Sequence, residues 1–145
     1  MDMTPKEYQA YVKEKAPSSP IVQDCLRAFL VGGLICALGQ AIQNGWLAAG
    51  LTKDDAGAAT ACCLVLLSAI LTGLNVYSNI GRFGGAGSLI PITGFANAVV
   101  SPAIDFKAEG IVTGMAAKMF TVAGPVIVFG SLASVVYGVV LMLLR

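Results

Sequence analysis

No histidine occurs in the 145-residue chain, and its four cysteines, Cys25, Cys36, Cys62 and Cys63, form no C-x-x-C pair. A zinc centre or a thiol redox pair therefore has nothing to build on. The cysteines read as small apolar helix residues, and no metal site is expected. Charge is scarce as well: only 12% of the residues are Asp, Glu, Lys or Arg, and the net charge is +1. That leaves no electrostatic footprint for nucleic acid, which requires Lys and Arg clustered on an accessible face. No nucleophile stands beside a base, so no catalytic constellation can be assembled, and neither an enzyme nor a cofactor is expected. An energised transporter lacks support too. There is no nucleotide-binding loop, and Asp105 and Glu109 fall at the end of a span rather than in the middle of one, where a proton relay would need them.

What is present is hydrocarbon. With 57% hydrophobic residues and a mean hydropathy of +0.80, the chain lies outside the range of ordinary soluble domains and reads as an all-α integral membrane protein. Seven of the seventeen charged residues precede Leu26. The other ten, at Arg27, Lys53, Asp54, Asp55, Arg82, Asp105, Lys107, Glu109, Lys118 and Arg145, divide the rest into spans. Residues 1–24 form a cytosolic amphipathic helix with a linker, and residues 25–145 a polytopic membrane domain. The polar opening stretch does not resemble a cleavable signal, so the first span is expected to remain as an anchor.

Thr4-Pro5-Lys6-Glu7 is a capping box with proline in the first helical position. It predicts a short helix to about Lys15. Tyr8, Tyr11, Val12 and Lys15 share one face, which either lies on headgroups or docks on a partner unless the helix is simply solvated. Pro17-Ser18-Ser19-Pro20 ends it.

Residues 28–52 carry no charge and are long enough for a tilted span, with Trp46 as an interfacial anchor and Gln40 deeper. Lys53-Asp54-Asp55 then predicts a tight turn into a second span, 56–79, that closes on a polar, aromatic collar at Asn75, Tyr77, Ser78 and Asn79.

The next apolar stretch is the unusual one. No charge occurs in residues 83–104, yet Pro91, Gly94 and Pro102 interrupt them. Proline removes a backbone donor and clashes with the preceding turn, so the carbonyls near Gly87 to Ile90 should lack helical partners. Irregular backbone at membrane depth is tolerated only where protein buries it or where it lines a watery cavity. The kink is therefore either packing geometry, proline and glycine being common in membrane helices, or a discontinuous helix at a transport site.

Beyond the polar stretch 105–109, residues 110–121 look too short to span before Gly124-Pro125 and predict a half-helix, with Lys118 either snorkelling or facing a path. Residues 125–144 are twenty uncharged residues and form the last span. Gly130, Ser134 and Gly138 recur every fourth residue along it, a face that lets another helix approach closely, within the bundle or across an oligomer. Placing the N-terminus inside puts Lys6, Lys13, Lys15, Arg27, Arg82 and Arg145 on the cytoplasmic side, leaving Lys53, Lys107 and Lys118 outside. The expected architecture is thus about four transmembrane helices, one of them Pro/Gly-broken, plus a short half-helix. Re-entry of residues 86–104 is the competing topology.

Three runs carry a family resemblance: RAFLVGGLIC at 27–36, GAGSLIPITGFANAVVSPAIDFKAEG at 85–110, and AKMFTVAGPVIVFG at 117–130. They resemble the stage V sporulation protein AC family over nearly the whole chain, apart from the first 24 residues and the region 43–62. The resemblance implies a multi-pass protein of the inner membrane of the bacterial forespore. It would belong to an oligomeric complex that moves dipicolinic acid, with calcium, into the developing spore and out again at germination. It also implies opening under membrane tension, a related AE-b type membrane subunit and an AD-type soluble subunit as partners. On that expectation Gly87, Ser88, Thr93 and Asn97 line the solute path, with Arg82 on one side and Lys107 on the other drawing the anion toward it. The alternative is a scaffold subunit that assembles the complex without lining the path.

Overall fold

The computed structural model describes residues 4–15 and 20–144, and every regular element among them is helical. Residues 17–19 of the expected linker, and Arg145, lie outside the described residues. Helix α1, Pro5–Lys15, starts on the anticipated capping box. The Thr4 amide and hydroxyl each donate to Glu7 Oε2 at 2.8 Å, while the Glu7 amide donates back to Thr4 Oγ1 at 3.4 Å. The backbone hydrogen bond from Thr4, then that from its hydroxyl, holds the Glu7 carboxyl below its ordinary pKa. The cap is therefore complete at neutral pH and is lost as pH falls through that lowered value.

Helix α2, Ile21–Ala48, is 28 residues long and begins about two turns earlier than the uncharged run, so Asp24 and Arg27 occupy its opening turns. It stops in a Schellman motif: Gly50 takes φ +94°, the Leu51 amide donates to the Trp46 carbonyl, and the Gly50 amide to Leu47. Helix α3, Lys53–Gly73, follows at once. Its N-cap is Thr52, whose hydroxyl accepts from the Asp55 amide. Lys53-Asp54-Asp55 is thus the first turn of a helix rather than the connecting turn, and the two carboxylates suit the positive end of its dipole. Helices α2 and α3 form a hairpin, in which Gly39 leaves room for the Leu64 side chain.

The second span is shorter than the sequence predicts. Asn75, at φ +58°, ends α3 in another Schellman motif, with the Val76 amide on the Leu71 carbonyl and the Asn75 amide on Thr72. The expected collar becomes a turn and a separate eight-residue helix α4, Tyr77–Gly84. Gly85 at φ +49° joins it to the single turn α5, Ala86–Leu89. Pro91, with ψ 165°, then breaks the chain, and α6 runs from Ile92 to Asp105.

The three suspected breakers do not act alike. Only Pro91 interrupts a helix; Pro102 is contained in α6, near its end, and Gly94 packs against the end of α5, where a Cβ would collide with the Leu89 and Ser88 carbonyls.

The core is built from small residues. Ala56, Thr60, Leu64 and Ser68 form the buried stripe of α3, which packs most extensively against α6, where Thr93, Gly94, Ala96 and Ala103 are buried. Gly87 of α5 backs so closely onto α2 that a Cβ would strike the Ala28 carbonyl.

The expected half-helix at 110–121 is not a separate element. After a 3-10 turn, Phe106–Glu109, and Gly110 at φ +100°, a π-helical turn, Ile111–Ala116, leads without a stop into α7, Ala117–Leu144, which contains Pro125. Residues 110–121 open a single 34-residue apolar helix, Ile111–Leu144. Proline bends such a helix without ending it, because only the bond to the Thr121 carbonyl is forfeited. Helix α7 rests on α6 and on the π-helical turn, and every described residue from Pro125 onward is exposed. Among the described residues three helices, Ile21–Ala48, Lys53–Gly73 and Ile111–Leu144, are long and apolar enough to cross a bilayer, and the broken α5–α6 pair supplies a further apolar segment. The chain is an all-α membrane protein.

Two glycines separate close packing from open surface. Gly87→Ala should lower thermal stability in detergent by about 1–3 kcal/mol through overpacking on Ala28. Gly130→Ala, with nothing within 4 Å of its added Cβ, should leave the isolated chain within about 0.5 kcal/mol of the native value.

Candidate functional site

The site follows from the break at Pro91. Among the backbone hydrogen bonds outside the helices, none ends on the carbonyls of residues 87–90. A carbonyl buried without a donor costs about 1–3 kcal/mol, and more at membrane depth where no water substitutes. At the buried Ser88 a side chain takes over. The Tyr77 hydroxyl, on the first residue of α4, donates to the Ser88 carbonyl at 2.7 Å. Its oxygen also lies 2.9 Å from Thr93 Oγ1. A phenol has one proton, and the carbonyl can only accept, so Thr93 donates to the tyrosine oxygen. On the other side of α6 the Ser68 hydroxyl donates to the Thr93 carbonyl.

One turn further along α3, the Thr72 hydroxyl lies 2.7 Å from the Ser68 carbonyl and 2.9 Å from the Asn97 side chain. It too has one proton. With that proton on the carbonyl, Asn97 turns its amide nitrogen to Thr72, the two ends of the side chain being alike in shape. The Ser88 hydroxyl donates to the Gly85 carbonyl at 2.9 Å.

The result is an uncharged ladder of five hydroxyls and one amide linking α3, α4, α5 and α6. Ser68 and Ser88 are fully buried, Tyr77 and Thr93 nearly so, and Thr72 and Asn97 half-buried. No buried polar side-chain atom among the described residues lacks a partner. The groups able to bind a carboxylate are therefore present but engaged with one another. They can turn to a solute only if the ladder opens.

The structure brings some of the sequence-derived candidates together and separates others. Ser88 and Thr93 meet at the Tyr77 hydroxyl, Asn97 joins through Thr72, and Gly87 adjoins Ser88 on the face turned to α2. Arg82 is exposed and lies beside the start of α2 with Asp24 and Cys25, and Lys107 is exposed in the 3-10 turn. Gly130, Ser134 and Gly138 lie on the exposed α7. Lys118 points its ammonium at the Phe106 ring, 4.0 Å from the centroid, a cation–π contact.

The sequence pattern places Tyr77 in a polar collar at the mouth of the broken segment and singles out neither Ser68 nor Thr72. Those two continue the four-residue stripe from Ala56, and Tyr77 follows an Asn that can end a helix. Those are the signals that could have found them.

Tyr77→Phe keeps the ring and deletes the donor, so it should destabilise the protein by about 1–3 kcal/mol in detergent melts. Tyr137→Phe, on an exposed tyrosine, should change nothing measurable.

No solved structure matches the chain. The family model for SpoVAC/SpoVAEB sporulation membrane protein matches residues 24–140. The protein is similar to "Stage V sporulation protein AC" of Bacillus subtilis (strain 168), with 48% identity over 136 residues, 93% of this chain and 91% of that relative. The matched span takes in α2 through most of α7, including every residue of the ladder. The chain belongs to the SpoVAC/SpoVAEB family of sporulation membrane proteins.

Proposed function

We propose that this chain is a membrane channel subunit of a complex that carries dipicolinic acid, with calcium, across the inner spore membrane during sporulation and germination, and that membrane tension helps to open it. The single observation that carries the reading is the uncharged hydroxyl and amide ladder packed against a broken helix inside an otherwise apolar bundle. Dipicolinate is a small planar dianion, and hydroxyl and amide donors suit its carboxylate oxygens. In the closed arrangement these donors satisfy backbone carbonyls. In a conducting arrangement Ser88, Thr93 and Asn97 would line the route, with Gly87 on the opposite face of α5 letting it lie against α2 and Lys107 drawing the anion at one end. Several neutral donors in series would bind a dianion weakly enough at each step for it to move on.

The exposed α7 favours a second component of the same reading, assembly with other subunits. A 34-residue helix with an open Gly130, Ser134 and Gly138 face offers close approach to a second copy or to the AE-b type membrane subunit, while an AD-type subunit would meet the cytosolic side. A pure scaffold role would use that face alone and leave the ladder as packing.

Spores carrying Asn97→Leu or Lys107→Ala separate the two. The channel reading predicts dipicolinate content lowered severalfold while the complex is present at normal levels; unchanged accumulation favours the scaffold. Ser134→Leu should abolish co-purification of the membrane partners, and complexes that survive it intact would remove α7 from the interface.

A further inference from the structure

The outer side of α5, away from the ladder, carries a different feature. Between the first turns of α2 and the α4–α5 joint lies a cavity of about 500 Å³ lined by Ile21, Asp24, Cys25, Ala28, Arg82 and Phe83, together with Gly85 and Ala86. A second, apolar groove of about 290 Å³ is lined by Ala28, Gly32 and Cys36 of α2, by Ala86, Gly87 and Ile90 and by Pro91. The two adjoin at Ala28 and Ala86, the first being the charged mouth and the second the apolar tail of a trough between α2 and α5.

Its dimensions and charges match a single ligand class. From Asp24 to Cys36 the trough follows twelve residues of α2, about 18 Å at the helical rise, close to one leaflet of a hydrocarbon core roughly 30 Å thick. The small residues Ala28, Gly32 and Cys36 recur every fourth position and leave a smooth channel for an alkyl chain, and Ile90, 82% exposed, forms its rim. At the mouth, Arg82 pairs with no carboxylate of the described residues, whereas Asp24 lies only at the 4.0 Å limit from Arg27. Arg27 in turn is held over the Phe83 ring, 5.3 Å from its centroid. One cation and one anion across an interfacial opening suit a group that carries both signs.

We infer that this trough is a phospholipid-binding site, with the phosphate on Arg82, a headgroup ammonium toward Asp24 and one acyl chain lying along Ala28, Gly32 and Cys36 to Pro91. A guanidinium binds phosphate oxygens through paired, charge-assisted hydrogen bonds, and the bilayer supplies the ligand at high local concentration. The assignment gives Arg82 to the bilayer rather than to the solute path. It stands whether or not the chain conducts.

The test is native mass spectrometry of the full chain released from nanodiscs of phosphatidylethanolamine and phosphatidylglycerol in equal amounts. The native protein should retain one phosphatidylethanolamine. Arg82→Ala should reduce that retained population by about tenfold through loss of the charge-assisted contact. Cys36→Trp, which fills the tail and leaves the mouth untouched, should reduce it comparably, and Asp24→Asn should shift the retained lipid toward phosphatidylglycerol. Glycerophosphoethanolamine, which has the headgroup without chains, should fail to compete. Equal retention by the native, Arg82→Ala and Cys36→Trp proteins, each shown folded by circular dichroism, means unselective annular lipid and overturns the site. Retention lost in Arg82→Ala but kept in Cys36→Trp, with competition by the chain-free headgroup, means a free-phosphate site and also overturns it.

Discussion

A carbonyl oxygen that loses its helical donor inside a bilayer must find another, and the fold from α3 to α6 is arranged around that demand at Pro91. Tyr77 meets it at the Ser88 carbonyl, and Ser68 reaches across from α3 to the Thr93 carbonyl in the first turn of α6. The rest of the region makes those two contacts reachable. Asn75 stops α3 so that α4 can begin on Tyr77. Gly85 turns the chain into α5, and Gly87 and Gly94 let α5 lie against α2 and α6 without side chains between. Small residues along α3 bring its backbone close enough for Ser68 and Thr72 to reach across. Without water, each of these hydrogen bonds replaces an unpartnered group rather than competing with solvent, so its loss is felt more than in a soluble protein.

The molecule divides into a packed part, α2 to α6, and an exposed one, α7. The single turn α5 borders both the ladder and the trough. Its inner face carries Ser88 and the ladder; its outer face borders the trough along α2. On the proposed reading, solute and lipid would act on opposite sides of the same four residues, which links an opening of the ladder to the state of the bilayer without any charged group in the route. On the same proposed reading, the exposed apolar length of α7 would be where the chain meets its neighbours.

Much of this was legible in the residues. The break at Pro91 and its orphaned carbonyls follow from the chemistry of proline, and the Thr4 to Glu7 cap from the spacing of two side chains. Local rules failed where a boundary depends on left-handed backbone or on context. Asn75 is a weak stop signal in sequence, so the apolar run predicts a second span six residues longer than α3 and a polar collar where α4 begins. Thr52, rather than the charges after it, marks the turn into α3, because its hydroxyl caps the helix. Pro102 and Pro125 looked like breaks, yet a proline forfeits one hydrogen bond and can remain in a helix that neighbouring turns continue. Ser68 and Tyr77 are 25 and 11 residues away from the carbonyls to which they donate, and no periodicity announces such pairings.

The central claim is that protein, not water, satisfies the Ser88 carbonyl. Isotope-edited infrared spectroscopy of a chain labelled at that single carbonyl, in lipid bilayers, reads the bond directly. The account predicts a lowered, hydrogen-bonded amide I frequency that rises when Tyr77 is replaced by phenylalanine. A frequency unmoved by that replacement would contradict it.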